Sequence, residues 1–252
     1  MNTWVIADIH GSFKALKQVF ERAPIKEGDT IIQLGDICDG WSEVYECVDL
    51  LISMKEKYNM IFIKGNHDEW FHTFLSVGVQ PVHWLQGGEG TLTSYCRNAQ
   101  REIKIYSVMG GYNSNLTNYD IPKSHIDFFN NQLLWYIDEQ DRFFVHGGFN
   151  REESIYTQPD SDFYWNRDLW RKAMSCTGDQ KLNTVDGFKE VFIGHTTTLE
   201  HGVDTPIISG GITNLDTGAG FNGKLTIMNV DTKEFYQSDN VKDLYPNERG
   251  RG

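Results

Sequence analysis

Five short apolar runs, each stopping at a glycine-flanked Asp, Asn or His, constrain this chain more than any other feature of its sequence. Thr3 to Ala7 (TWVIA) stops at Asp8-Ile9-His10-Gly11, and Thr30 to Leu34 (TIIQL) stops at Gly35-Asp36-Ile37-Cys38-Asp39-Gly40. Met60 to Ile63 (MIFI) leads into Gly65-Asn66-His67-Asp68-Glu69. Arg142 to Val145 (RFFV) ends at His146-Gly147-Gly148, and Glu190 to Ile193 (EVFI) ends at Gly194-His195-Thr196. Runs of this length and composition read as buried strands. In open α/β sheets ligands bind at the carboxyl ends of strands, so parallel strands would gather residues as distant as Asp8 and His195 into one cleft.

Amphipathic segments separate the first three runs. From Ser12 to Glu21 the apolar residues Phe13, Leu16, Val19 and Phe20 fall at helical spacing, and Glu43 to Tyr58 reads as a second helix. This strand–helix alternation predicts an α/β layer with helices packed on a sheet. The middle, from Glu69 to Asn131, is less regular and rich in aromatics, with a helical stretch near Ser124 to Asn131. Beyond it the pattern is mostly strand, including Pro206 to Ser209 and Lys224 to Val230, with a short helix over Arg167 to Met174. No repeat or linker interrupts the 252 residues, so one domain over 1–252 is expected. The polar, glycine-containing residues 240–252 read as a flexible tail.

The residue types at the strand ends carry the chemistry. Asp, Asn and imidazole without a thiolate suit hard or borderline ions such as Mn²⁺, Fe or Zn²⁺. Two such ions about 3.5–4 Å apart activate water and clamp phosphoryl oxygens. The net charge of −12 weighs against non-specific nucleic-acid or membrane-surface binding. The cysteines Cys38, Cys47, Cys96 and Cys176 form no C-x-x-C pair and read as free thiols of a reducing, cytoplasmic compartment. The N-terminus enters a strand at once, without the basic and apolar regions of a signal peptide, and no apolar run reaches membrane-spanning length.

The blocks DIHG, GDICDG, GNHDE, HGG and GHT resemble the calcineurin-like metallophosphoesterases. More narrowly, they resemble the phosphoprotein phosphatase family in its bacterial and phage branch, with the related diadenosine tetraphosphatases. WLQGGEGTLTSY from Trp84, WNR from Trp165 and NLDTGAGFNGKLTIMNV from Asn214 extend the resemblance over roughly residues 3–230. It implies an αββα sandwich of two mixed β-sheets flanked by helices, with a dinuclear metal site at the C-terminal strand edge. Residue by residue it assigns Asp8 and His10 to the first metal and Asp36 to a bridge. Asn66, His146 and His195 go to the second metal. It implies two divalent cations, Mn²⁺ first, with Fe or Zn²⁺ as alternatives. It also implies His67 as the general acid that protonates the leaving group, held by Asp39. A carboxylate partner suits that role because it fixes the tautomer of the imidazole.

One position departs from the pattern. Where most of the family follows the Asp at position 39 with a phosphate-gripping arginine, this chain has Gly40, and no backbone atom replaces a bidentate guanidinium. Arg167 matches another phosphate-binding arginine of bacterial members, and Arg151, just after HGGFN, is a weaker substitute. His72, His83, His125 and His201 match no ligand block. The expected activity is hydrolysis of phosphomonoesters by metal-activated water, on a phosphoprotein or small phosphoester, as in Ser/Thr protein phosphatases. The alternative is a diadenosine tetraphosphatase or other nucleotide or phosphodiester hydrolase, motivated by Gly40 and by Trp70, Phe71, Phe74 and Trp84. A catalytically silent binding protein is disfavoured because all six ligand positions and the acid are present. The sequence leaves the oligomeric state open.

Overall fold

Side-chain alternation along the strands dictates the layering. In β1 (Thr3–Ile6) and β2 (Thr30–Gln33) successive residues point to opposite faces, and both faces are apolar, as a sheet covered on both sides requires. Trp4, Ile6 and Ile31 join the helices α1 (Phe13–Arg22) and α2 (Val44–Met54) in one core cluster. Val5 and Ile32 face the other way, toward Phe144 and Phe192 of a second sheet. The computed structural model describes residues 1–80, 84, 86–108 and 111–251, so His83 lies outside the described residues.

The remaining elements follow in chain order. β3 spans Asn59–Phe62, α3 Asn66–Val77, α4 Gly88–Asn98, β4 Ile105–Val108, β5 Gly111–Ser114 and α5 Lys123–Asn130. Then come β6 (Trp135–Ile137), β7 (Arg142–Val145), α6 (Asp160–Trp165), α7 (Asp168–Met174) and β8 (Glu190–Ile193). The last are β9 (Ile207–Ser209), β10 (Ile212–Asn214), β11 (Thr226–Asn229), β12 (Phe235–Gln237) and α8 (Val241–Leu244).

The first sheet has the order β12-β11-β1-β2-β3 and the second β6-β7-β8-β10-β9, with β4-β5 a separate hairpin. β1, β2 and β3 run parallel, as do β7, β8 and β10, while β11, β12, β6 and β9 pair antiparallel. Both large sheets are therefore mixed. Between them Val5, Ala7, Ile32, Leu34, Phe144 and Phe192 form a buried seam, in which the Phe144 and Phe192 rings stack at 4.9 Å. Outside the second sheet, Phe143, Val145, Val191 and Ile193 pack with Phe163, Leu169 and Trp170 of α6 and α7. This is the expected αββα sandwich, and its parallel strands deliver all five blocks to one edge.

Two regions differ from the sequence reading. The segment read as irregular contains α3 and α4. The polar start of α3, Asn66-His67-Asp68-Glu69, masks an amphipathic helix that buries Phe71, Phe74 and Leu75. In α4 the run GEGTLTSYCRN has poor intrinsic helix propensity, and packing of Leu92 and Tyr95 in the core overrides it.

The flexible tail expected over 240–252 is instead a packed strap. Val241 is fully buried, and the Tyr245 ring stacks on Trp41 at 5.1 Å. The Lys14 N–H donates to the Tyr245 hydroxyl at 3.0 Å, and that hydroxyl donates to Glu43. Ser42 donates to Glu248 through its N–H (3.0 Å) and its hydroxyl (2.9 Å). A polar sequence gave no sign of this, because the strap's anchors lie some 200 positions away. Truncating a buried aromatic costs about 3–5 kcal/mol, whereas a residue on a frayed tail costs under about 0.5. Tyr245→Ala should therefore lower stability by about 3 kcal/mol in urea unfolding; a change within error would restore the tail.

Candidate metal centre

The site is built where the strands stop. Asp8 lies just past β1, Asp36 past β2, Asn66 opens α3 after β3, His146 follows β7, and His195 lies just past β8. All five side chains are buried, as is that of His10. Tight turns bring them inward. His10, Asp36, Asp39 and His195 have φ of 50°, 55°, 66° and 65°, a left-handed conformation that non-glycine residues rarely adopt. Backbone strain of this kind concentrates at functional sites. Gly65 and Gly194 permit the close approach: a Cβ on either would lie 2.1 Å from Asp36 Oδ1 or Asp8 Oδ1, respectively.

Side-chain atoms able to ligate a metal form two groups that share one residue. Asp8, His10 and Asp36 make one, and Asp36, His146 and His195 the other, with the atoms of each group within 4.8 Å of one another. Asp36 Oδ1 accepts from the His67 N–H at 2.9 Å, while Oδ2 lies 3.7 Å from His10 Nε2 and 3.3 Å from His146 Nε2. Asn66 Oδ1 lies 3.2 Å from His146 Nε2. Both Asp8 oxygens accept from the His195 N–H at 3.1 Å.

The histidine tautomers suit cation binding. His10 Nδ1 meets the carbonyls of Cys38 (2.9 Å) and Asp39 (3.0 Å), and His146 Nδ1 meets the Leu34 carbonyl at 2.8 Å. A carbonyl only accepts, so Nδ1 is the donor in both rings. In the neutral form of either ring the lone pair is then on Nε2, the nitrogen that faces the carboxylates, and a backbone carbonyl behind the ring is the usual partner of a metal-binding imidazole. His195 Nε2 is buried with no hydrogen-bond partner among the described residues.

Charge in this cluster is unbalanced. Burial, then Asp216, holds Asp8 well above the ordinary carboxylate range, and burial pushes Asp216 itself up to about 6. At Asp36 burial acts upward too, but His146, His67 and His10 outweigh it and hold the carboxyl well below its ordinary value. Burial opposes charge on His146, yet Asp36 and Asp8 prevail and push it up to about 9. Burial, then Arg251, lowers His10, and burial, then His146, lowers His195. Protons shared in this way do the work that divalent cations would do, so the donor set fits two of them.

Beside the cluster, His67 Nδ1 pairs with Asp39 Oδ2 at 2.7 Å. Asp39 Oδ1 accepts from the Thr91 hydroxyl at 2.6 Å, and the Asp39 N–H donates to Thr91 Oγ1 at 2.8 Å. His67 Nε2 is buried and has no hydrogen-bond partner among the described residues. Arg167 stands at the rim, donating from Nη1 to the His195 carbonyl (3.1 Å) and the Thr196 hydroxyl (3.0 Å). Arg151 donates instead to the Asn183 carbonyl (3.2 Å) and Glu152 (2.9 Å), neither of which belongs to the cluster.

Three contributors were not assigned from sequence. Asp68, inside the GNHDE block, accepts from the N–H groups of Ile37 (2.9 Å), Cys38 (3.2 Å) and Gly65 (3.2 Å), tying the turn after β2 to the start of α3. Thr91 orients Asp39, and Asp216 of the NLDTG run adds a buried carboxyl. All three sit in quoted motifs, Asp68 in GNHDE, Thr91 in WLQGGEGTLTSY and Asp216 in NLDTG, but none was given a role there.

A family model described as calcineurin-like phosphoesterase matches residues 1–202. Over 120 residues the chain is 30% identical to the asymmetrical bis(5'-nucleosyl)-tetraphosphatase PrpE of Anoxybacillus flavithermus. That match covers 40% of this chain and 48% of that protein, so the chain spans about half the length of this curated relative. Among solved structures, a candidate diadenosine tetraphosphatase aligns with TM-score 0.62 at 13% identity, covering 94% of this chain and 92% of the other. A Saccharomyces cerevisiae protein serine/threonine phosphatase similar to human PP5 aligns with TM-score 0.54 at 13% identity, covering 94% and 79%. At these identities the structures speak to the fold alone.

A cation held by the folded cluster stabilises the fold by mass action, about 2.7 kcal/mol at a hundred times its Kd. Metal-stripped protein given Mn²⁺ should gain stability on that scale in thermal melts, and Asp36→Asn should lose most of the gain. An unmoved melting curve in the unmutated protein would contradict the assignment.

Proposed function

The chain belongs to the calcineurin-like phosphoesterase family, and on that footing we propose that it hydrolyses phosphomonoesters. Asp8, His10, Asp36, Asn66, His146 and His195 hold two divalent cations, Mn²⁺ in the first instance, and the substrate is a phosphorylated protein or a small phosphoester. The observation that carries this reading is the sharing of Asp36 between two ligand groups beside the His67–Asp39 pair. Cations held there supply Lewis-acid charge to phosphoryl oxygens and acidify water.

The chain's own side chains do the rest. Asp39, held by Thr91, fixes the His67 ring through Nδ1, leaving Nε2 as the atom that hands a proton to the leaving-group oxygen. Among the described residues no protein group bonds to that nitrogen, so it is left to face the substrate. Arg167 at the rim offers a guanidinium to the phosphate beside His195. Four free cysteines fit a reducing, cytoplasmic setting, and no helix among the described residues is long and apolar enough to cross a membrane.

A second reading, hydrolysis of a dinucleotide or other nucleotide ester, draws on the aromatic rim. Phe71, Phe74 and Trp84 are buried core residues, but Trp165 is 42% exposed. Its ring lies 5.9 Å from that of His195 and 5.6 Å from that of Trp70, a platform on which a base can stack. Metal-reloaded protein assayed on a phosphoserine peptide and on diadenosine tetraphosphate should give the higher kcat/KM on the peptide. The reverse, with a selective loss on the dinucleotide in Trp165→Ala, would favour the second reading. No turnover of any phosphoester would leave a binding protein.

Removing a general acid costs about 10²–10⁴ in rate where the leaving group needs its proton. His67→Gln should therefore lower kcat by that factor on an alkyl phosphate but far less on p-nitrophenyl phosphate, whose leaving group departs unprotonated. Equal losses on both would remove His67 from the acid role.

A further inference from the structure

The C-terminal strap ends over the metal centre. Its Arg251 N–H donates to the Gly220 carbonyl at 2.9 Å, and the side chain turns inward until Nη1 stands 3.1 Å from His10 Nε2. Three glycines make room for the stem. A Cβ on Gly40, Gly87 or Gly220 would lie 3.4, 3.0 or 3.1 Å from an Arg251 methylene carbon. The guanidinium also lies 5.0 Å from the Phe221 ring centre, within cation–π range.

The buried Asp216 carboxyl feels the charge of this guanidinium without pairing with it. Among the described residues no carboxylate pairs with it, although Glu89 and Glu248 line the same cavity of about 760 Å³. Its Nε is buried with no hydrogen-bond partner among them, and Nη1 is spent only on His10. An arginine has five N–H donors in a fork that matches phosphate oxygens. Holding one unpaired at the mouth of a buried centre is costly unless an anion uses it.

The backbone at Gly40 excludes the simpler arrangement. With φ of 111°, and with the His10 carbonyl 3.0 Å from where a Cβ would be, position 40 is strained for any side chain. We propose that Arg251, reaching over Gly40 from the far end of the chain, grips the substrate phosphate at this centre. The inference rests on the phosphoesterase reading above. Its contact with His10 Nε2 would then be a parking position: were that nitrogen engaged as a cation ligand, the fork would be free to turn toward the phosphate.

Inorganic phosphate serves as the probe, titrated calorimetrically into Mn²⁺-loaded protein with bound Mn²⁺ quantified in the same samples. Charge-assisted bonds of this kind correspond to about ten- to a hundredfold in affinity. Arg251→Ala should weaken phosphate by that factor, Arg251→Lys by less, and Arg249→Ala, in the same strap, by under about twofold. Mn²⁺ should bind Arg251→Ala at least as tightly as the unmutated protein, because a competitor for His10 has gone. Unchanged phosphate affinity in Arg251→Ala would overturn the inference and leave the phosphoesterase reading standing. An equal loss in Arg249→Ala, or loss of Mn²⁺ from Arg251→Ala, would overturn it as well, since general charge or metal retention would then be the cause. Failure of the unmutated, Mn²⁺-loaded protein to bind phosphate would bring down both.

Discussion

Asp36 is the carboxylate around which the rest of this structure is arranged. One of its oxygens is fixed by the His67 N–H, and the other lies near both His10 and His146. A fully buried carboxylate is expensive unless its charge is met on the spot. Here histidines meet it provisionally, and the two groups that share it have the composition to hold a cation each. Removing the residue would take one member from each group, because among the described residues it alone belongs to both.

The sandwich exists in the form needed to keep that point fixed. Parallel pairing of β1, β2 and β3 in one sheet, and of β7 and β8 in the other, aligns five turns at one edge. The apolar seam between the sheets sets their separation, and the stacked Phe144 and Phe192 rings belong to the two strands, β7 and β8, that present His146 and His195. A seam packed like a crystal resists small displacements. That rigidity sustains four ligand-side residues in left-handed backbone conformations, a cost of order 1–3 kcal/mol each that the surrounding packing offsets.

Much of this was legible in the sequence because strand-end chemistry is local. Each of Asp8, Asp36, Asn66, His146 and His195 sits within a few residues of an apolar run, so its place on the sheet edge follows from periodicity. The αββα layering and the His67–Asp39 pair came from the resemblance, and the structure holds both. What the sequence concealed depends on distant contacts. Helix α4 forms despite its glycines and threonines because Leu92 and Tyr95 find a core. The strap folds down because Tyr245 meets Trp41 and Glu248 meets Ser42, pairings that no spacing rule encodes. Arg251 was passed over for the same reason, while Arg151, adjacent to a ligand block, turns to Asn183 and Glu152.

The central claim, that one shared aspartate joins two cation sites, is met most directly by anomalous scattering from crystals grown with Mn²⁺. The account predicts two anomalous peaks about 3.5–4 Å apart, one beside Asp8 and His10, the other beside Asn66, His146 and His195, with Asp36 touching both. A single peak, or a pair that leaves Asp36 uncoordinated, would contradict it.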